Sequence, residues 1–315
     1  MRKVLFLAVV LALLVTAALL TPMPVSAQSQ SDSAKSGPPA VIQLIREEVK
    51  PGKGPAHEKS ESMWAAAYKK ADLKYYYLAT TTLSGPSEAW FFAAFDSMGD
   101  VEKANEALAA NKAVQAEVDR IGVSDGDMLS GTRSTFLFYN SELSYHPNFN
   151  VGDYKYFMVD TVKLKPGHFD QFAALRKTVN EAHEKAGLDE HMLVYTVGLG
   201  GPGGTVLVFQ PVKSMAEYDS MGKTHGKGSA YYETFGDENR KSMTAYARDD
   251  QQFFQRDFLA ISPAMSVMSE KVMAANPTFW KPKTAMAKAP AGKGSTPAAK
   301  KEPAKKDVMH TEKKN

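Results

Sequence analysis

The chain has 315 residues, a formal charge of +3, 43% hydrophobic residues and no cysteine. Without cysteine there are no disulfides, no thiolate catalysis, no cysteine-ligated zinc or iron–sulfur cluster and no lipidated N-terminal cysteine. The charge is unevenly placed: Lys281 to Asn315 carries +7 and Arg2 with Lys3 another +2, so residues 4–280 hold about −6 and show no face for nucleic acid.

In chain order, Met1 to Ala27 has the pattern of a secretory signal: basic Arg2 and Lys3, an apolar run from Val4 to Leu20, and small Val25 and Ala27 before a cleavage point at Gln28. The run is also long enough for an anchor, but the cleavage pattern favours removal and a periplasmic or secreted protein. No later stretch reaches about 18 apolar residues, so no transmembrane segment is expected after signal removal. Residues 28–40 are Ser-, Asp- and Gly-rich and read as a flexible leader.

Val41 to Val49 reads as a strand, and Pro55 opens a helix to about Lys70 whose inward stripe is Ser60, Met63, Trp64, Ala67 and Tyr68. Tyr75 to Leu83 and Ala89 to Phe95 form a hairpin around Ser84-Gly85-Pro86-Ser87. Asp100 caps a second helix running through about Val118, a short helix is conceivable near Met128, and Ser134 to Tyr139 closes the unit.

The order then repeats. Lys155 to Leu164 is a strand, His168 to Lys185 a helix, and His191 to Leu199 with Thr205 to Phe209 a hairpin. Ser214 to Asp219 opens a further helix. Thr224 to Gly228 interrupts it as an insertion-like loop without counterpart in the first half, a helical stretch runs from Glu238 to Arg248, and Gln251 to Ala260 closes. The copies share Val49-Lys50-Pro51-Gly52 with Leu164-Lys165-Pro166-Gly167, Gly85-Pro86 with Gly201-Pro202, Ser97-Met98 with Ser214-Met215, and Leu143 with Leu259, at offsets of 115 to 117. A single unit has been duplicated. From Lys281 to Asn315 the Lys-, Ala- and Pro-rich chain cannot offset its ordering entropy and reads as a disordered tail.

Strand, helix, strand, strand, helix, strand is the βαββαβ order of a ferredoxin-like sandwich. The predicted fold class is α+β: two tandem ferredoxin-like units, residues 41–150 and 156–266, packed sheet to sheet as an intramolecular α+β barrel. Strands that are apolar at nearly every position support sheets covered on both faces.

The Lys-Pro-Gly turns, the Gly-Pro hairpins and the apolar strand ending in Phe95-Asp96-Ser97-Met98 or running from Phe209 to Met215 resemble the dimeric α+β barrel superfamily, NIPSNAP-like and antibiotic-biosynthesis-monooxygenase-like groups in particular. The resemblance implies a paired ferredoxin-like barrel. It also implies a range of activities, from cofactor-independent oxygenation to haem degradation and chlorite dismutation. The residues themselves require no cofactor, and haem enters only through the resemblance.

His57 is the catalytic candidate. It matches Phe172 at an apolar-stripe position, so its imidazole points inward, either as a general base or axial ligand near Tyr75, Tyr77 or Trp90, or as an ordinary buried histidine. Tyr75, Tyr77 and Trp90 are either the wall of a site for a flat apolar ligand or plain core. Arg46, a charge on a covered strand, either orients a polar ligand group at a barrel mouth or is solvated at an edge. His191 stands at the strand start matching Tyr75 and joins the ligand-lining set. No histidine recurs at equivalent places and no His-Glu-x-x-His motif occurs, so no metal is expected. The glycines from Gly198 to Gly204 join two strands and make a hairpin, not a phosphate cradle.

Three functions follow. The first is an exported protein holding a small, largely apolar or aromatic ligand in the barrel. The second is a cofactor-independent monooxygenase or haem-handling enzyme, and the third a structural envelope protein whose basic tail contacts anionic envelope polymers.

Overall fold

The computed structural model describes residues 37–73 and 75–281. The expected signal segment, the leader up to Ser36 and the tail from Pro282 lie outside the described residues. The first unit comprises β1 (Val41–Val49), α1 (Gly54–Lys70), β2 (Tyr77–Thr82), β3 (Glu88–Phe95), α2 (Met98–Ala110), α3 (Lys112–Gly126) and β4 (Leu129–Tyr145). After a 3-10 turn at Val151–Asp153 come β5 (Tyr156–Leu164), α4 (Phe169–Lys185), β6 (Met192–Leu199), β7 (Thr205–Val212), α5 (Met215–Thr224), α6 (Ala230–Asp249) and β8 (Gln251–Ile261). Two one-turn helices follow, α7 (Glu270–Met273) and α8 (Pro277–Trp280).

The eight strands close into one barrel in the order β1-β3-β2-β8-β5-β7-β6-β4, every pairing antiparallel. Each unit contributes four strands in the same internal order, and two seams join them. One is β2 on β8, with Thr80, Thr81 and Thr82 opposite Ile261, Ala260 and Leu259. The other is β4 on β6, from Phe136 opposite Leu199 to Tyr145 opposite Met192. Among the described residues closure leaves no strand edge to pair with another chain.

Alternation along each strand separates two environments. Ile42, Leu44, Leu78, Trp90, Phe92, Leu137, Phe157, Val159, Tyr195, Leu207, Phe209 and Leu259 point into the barrel and fill it. The opposite residues, such as Val41, Tyr77, Ala79, Phe91 and Phe95, face the helices of the first unit. Leu164, Phe172, Val194, Val206, Val208 and Tyr246 form the corresponding layer of the second. Two covered faces explain why the strands read as continuous apolar runs.

The sequence shows no element after Ser266, yet α7 and α8 bring Val272 and Trp280 into the barrel core. Trp280 Nε1 donates to the Gly152 carbonyl at 2.9 Å. A Cβ on Gly152 would lie 2.0 Å from the Val272 carbonyl oxygen, so only glycine lets α7 pack there. The predicted single helix from Asp100 to Val118 is two helices. Ser97 caps α2 through Asp100 N–H, and Asn111 breaks the run and caps α3 through Val114 N–H. No helix forms at Met128, because β4 begins at Leu129 and is 17 residues long. Among the described residues no helix is long and apolar enough to cross a membrane.

Candidate functional site

The predicted site residues separate onto two faces of the sheet. Arg46 and Trp90 point into one end of the barrel, where Arg46 Nε and Nη2 both donate to Glu88 Oε2, at 2.9 and 2.5 Å. Trp90 Nε1 donates to the same oxygen at 2.6 Å, and Arg133 Nη2 to Glu88 Oε1 at 2.8 Å. The Arg46 guanidinium lies 4.0 Å from the Trp90 ring centroid. Glu88 is buried and its oxygens are taken by these donors, so Arg46 neutralises a carboxylate inside the fold. Nearby Asp257 is also buried, and burial raises its pKa, with Gln255 and Arg46 opposing and Glu88 and Asp160 adding to the rise.

His57 is inward, as its match to Phe172 suggests, but toward the outer face of β1 and away from the barrel and Trp90. The buried stripe of α1 is His57, Ser60, Glu61, Ala65 and Tyr68, with Met63 exposed, so the helix is rotated from the predicted stripe. His57 Nε2 donates to Glu47 Oε2 at 2.8 Å and lies 4.0 Å from Asp125 Oδ1. With Nε2 donating, Nδ1 is the basic atom of the ring. Glu61 completes the group, and its donor atom lies with those of Glu47, His57 and Asp125 within 4.8 Å of one another. Burial first, then the charges of Glu47 and Asp125 and a hydrogen bond with Asp125, push the Glu61 carboxyl up to about 9. Glu61 is therefore the protonated member near neutral pH.

Further along the same layer Tyr68 stacks on Tyr75 at 5.6 Å and meets Tyr77 edge-on at 6.1 Å, with Trp64 6.4 Å away. Tyr75 in turn packs on Phe95. Burial holds the Tyr75 phenol up to about 12 and raises Tyr68 and Tyr77 further, Tyr75 and Glu61 adding to the rise at Tyr68 and Glu61 leading the additions at Tyr77. Tyr75 and Tyr77 thus lie in the helix–sheet layer with His57, and not with Arg46 and Trp90 as the wall of the barrel that the sequence offers.

His191 lies elsewhere. Its Nδ1 donates to the His146 carbonyl at 2.6 Å and its ring packs 5.0 Å from Phe149, in the second unit. His168 occupies the N-cap position of α4 without a side-chain cap bond, and its Nδ1 lies 2.6 Å from Asp250 Oδ1.

The fold also assembles a group that the sequence does not announce. His183 on α4, Glu190 before β6 and His225 after α5 bring donor atoms within 4.8 Å of one another. Its one sequence signal is a departure between copies: His183 matches Tyr68, and His225 belongs to the insertion-like loop that the first unit lacks.

No family model and no curated protein matches the chain. Solved structures do. A protein from Fusobacterium nucleatum assigned as a monooxygenase is 12% identical, covering 71% of this chain and 93% of its own with a TM-score of 0.48. A chlorite dismutase variant from Candidatus Nitrospira defluvii is 9% identical, covering 77% and 97%, with a TM-score of 0.42. A NIPSNAP domain protein from Burkholderia xenovorans is 24% identical over 32% of this chain and 95% of its own, with a TM-score of 0.26. The chain's own strand order shows the fold: two four-stranded α+β halves of ferredoxin-like order joined into one closed eight-stranded barrel within a single polypeptide.

Among the described residues, the barrel core and the histidine groups named above do not fit a haem. The barrel is filled by the side chains named above, His57 is committed to Glu47, and His183 and His225 face each other across 3.3 Å, leaving no slot for a flat macrocycle between them.

Proposed function

We propose that this protein binds a small, largely apolar aromatic molecule bearing a hydroxyl group, and that the site is the helix–sheet layer of the first unit. The observation that carries this reading is a set of polar atoms without partners. Among the described residues six buried side-chain atoms are unbonded; Thr161 Oγ1, Arg176 Nε and Tyr246 Oη lie in the second unit, while Ser60 Oγ, Trp64 Nε1 and Asp125 Oδ1 gather in the α1–α3 layer around His57. Buried polar groups are rarely left unpaired, because each costs about 1–3 kcal/mol. A ligand hydroxyl beside Trp64 and Asp125 supplies the missing partners, while Trp64, Tyr68, Tyr75 and Tyr77 give its ring an aromatic wall.

The His57–Glu47 pair supports a second reading in the same place. A ligand phenol can hand its proton to Nδ1 of an imidazole whose Nε2–H is held by a carboxylate, which is the first requirement of cofactor-independent oxygenation of a phenol. Titration of the mature protein with 2-naphthol, followed through the His57 ring resonances, tests binding. Saturable shifts that weaken at least tenfold in Glu47→Gln support the site, and no shift at His57 rejects it. Oxygen consumption with the same compound separates the enzyme from the binder. We place the protein outside the cytoplasm on the pattern of its first 27 residues; a mature N-terminus at Gln28 tests that placement.

A further inference from the structure

We propose that His183, Glu190 and His225 form a binding site for a divalent transition-metal ion of the zinc class, in the second unit and outside the barrel. His183 Nδ1 lies 2.7 Å from the Val179 carbonyl oxygen and His225 Nδ1 lies 2.8 Å from that of Met221. A carbonyl oxygen only accepts, so both Nδ1 atoms carry the hydrogen, and each ring turns its Nε2 to the other group members. The two Nε2 atoms face each other at 3.3 Å. Glu190 Oε2 lies 3.5 Å from His183 Nε2, and Glu190 Oε1 lies 3.4 Å from His225 Nε2.

With both rings neutral, three acceptors converge with no donor among them. A single proton satisfies one edge of this triangle and leaves two acceptor pairs in contact. Protonating both rings sets two N–H groups against each other at 3.3 Å. An ion bonded to all three removes the conflict, and the dimensions suit it. Zinc–nitrogen and zinc–oxygen bonds of roughly 2.0–2.1 Å in tetrahedral geometry separate ligand atoms by about 3.3–3.4 Å.

The surroundings are those of a held ligand set. Both histidines are oriented by backbone carbonyls through the nitrogen that does not face the triangle, and Gln210 Nε2 donates to Glu190 Oε2 at 2.8 Å. The Tyr231 ring packs against both imidazoles, at 4.6 and 4.7 Å between centroids, and Phe235 stacks behind it. The His183 side chain is 4% exposed, but Glu190 is 15% and His225 28%, so an ion reaches the triangle from the loop side. Two imidazoles and one carboxylate select a borderline ion over magnesium or calcium. The first unit has Tyr68 where the second has His183 and lacks the loop that carries His225, so the site belongs to one copy and depends on the loop inserted there.

The test uses the untagged mature protein, stripped with chelator and titrated calorimetrically with zinc chloride, with cobalt(II) absorption as a second readout. Expected are one ion per chain, the intense visible bands of four-coordinate cobalt, and affinity at least 100-fold weaker in His225→Ala and Glu190→Gln. Gln210→Ala, which leaves all three ligands in place, should weaken binding about 10- to 100-fold. Circular dichroism of each metal-free variant separates a lost ligand from a lost fold. Absence of stoichiometric binding, a weak six-coordinate cobalt spectrum, or unchanged affinity in folded His225→Ala would overturn the site.

Discussion

His57 Nε2 donates to Glu47 Oε2 across 2.8 Å on one face of β1, while the neighbouring residue, Arg46, reaches Glu88 from the other face. One strand thus feeds two separate polar systems. Both oxygens of Glu88 are paired, whereas the layer around His57 has polar atoms to spare, which is why the functional reading rests on the latter.

Removing one member of a buried pair and removing both should differ in sign. His57→Ala leaves Glu47 without its donor and should cost about 1–3 kcal/mol. The double variant His57→Phe with Glu47→Val installs the residues that the second unit has at these places, Phe172 and Val162, and should be at least as stable as the parent while losing ligand. Urea unfolding of the three proteins measures both effects.

Glu61 makes stability depend on pH. Its carboxyl is raised from 4.5 to about 9, chiefly by burial, so between those values the folded state keeps a proton that the unfolded chain releases. Stability should fall as pH rises through this window and level off above it. Glu61→Gln keeps the size and the neutral form, so its melting temperature should vary less between pH 5 and pH 9 and exceed that of the parent at the alkaline end. Parallel melting curves for the two proteins across this range would speak against the assignment.

Arg46 is predicted to be structural. Arg46→Ala withdraws two hydrogen bonds from buried Glu88 and a cation–ring contact from Trp90, and such one-sided losses cost about 3–5 kcal/mol. Binding of 2-naphthol by the fraction that remains folded should be unchanged. A loss of affinity without a loss of stability would return Arg46 to the ligand.

The C-terminal plug should matter as much as a strand. Trp280→Ala removes a core indole and its bond to Gly152, at a cost of about 3–5 kcal/mol by chemical unfolding. A negligible change would mean that α7 and α8 only rest on the barrel.

Much of the architecture was legible because it repeats. The two Lys-Pro-Gly turns mark the ends of β1 and β5, and Val41–Val49 is bounded as predicted. Side assignment was not legible, since Trp90 and Phe91 are equally apolar neighbours on opposite faces of a sheet covered on both. The break at Asn111 was hidden in a run of good helix formers, and one-turn helices such as α7 carry no periodicity to detect. The His183, Glu190 and His225 group draws on three separated segments, so no local spacing reveals it.

The three tryptophans stand in distinct places: Trp64 in the helix–sheet layer, Trp90 in the barrel and Trp280 in the plug. Fluorine NMR of 5-fluorotryptophan-labelled protein titrated with 2-naphthol therefore locates the ligand directly. Our account predicts that the Trp64 resonance moves saturably while those of Trp90 and Trp280 stay in place. Movement of Trp90 instead, or of none of the three, would contradict it.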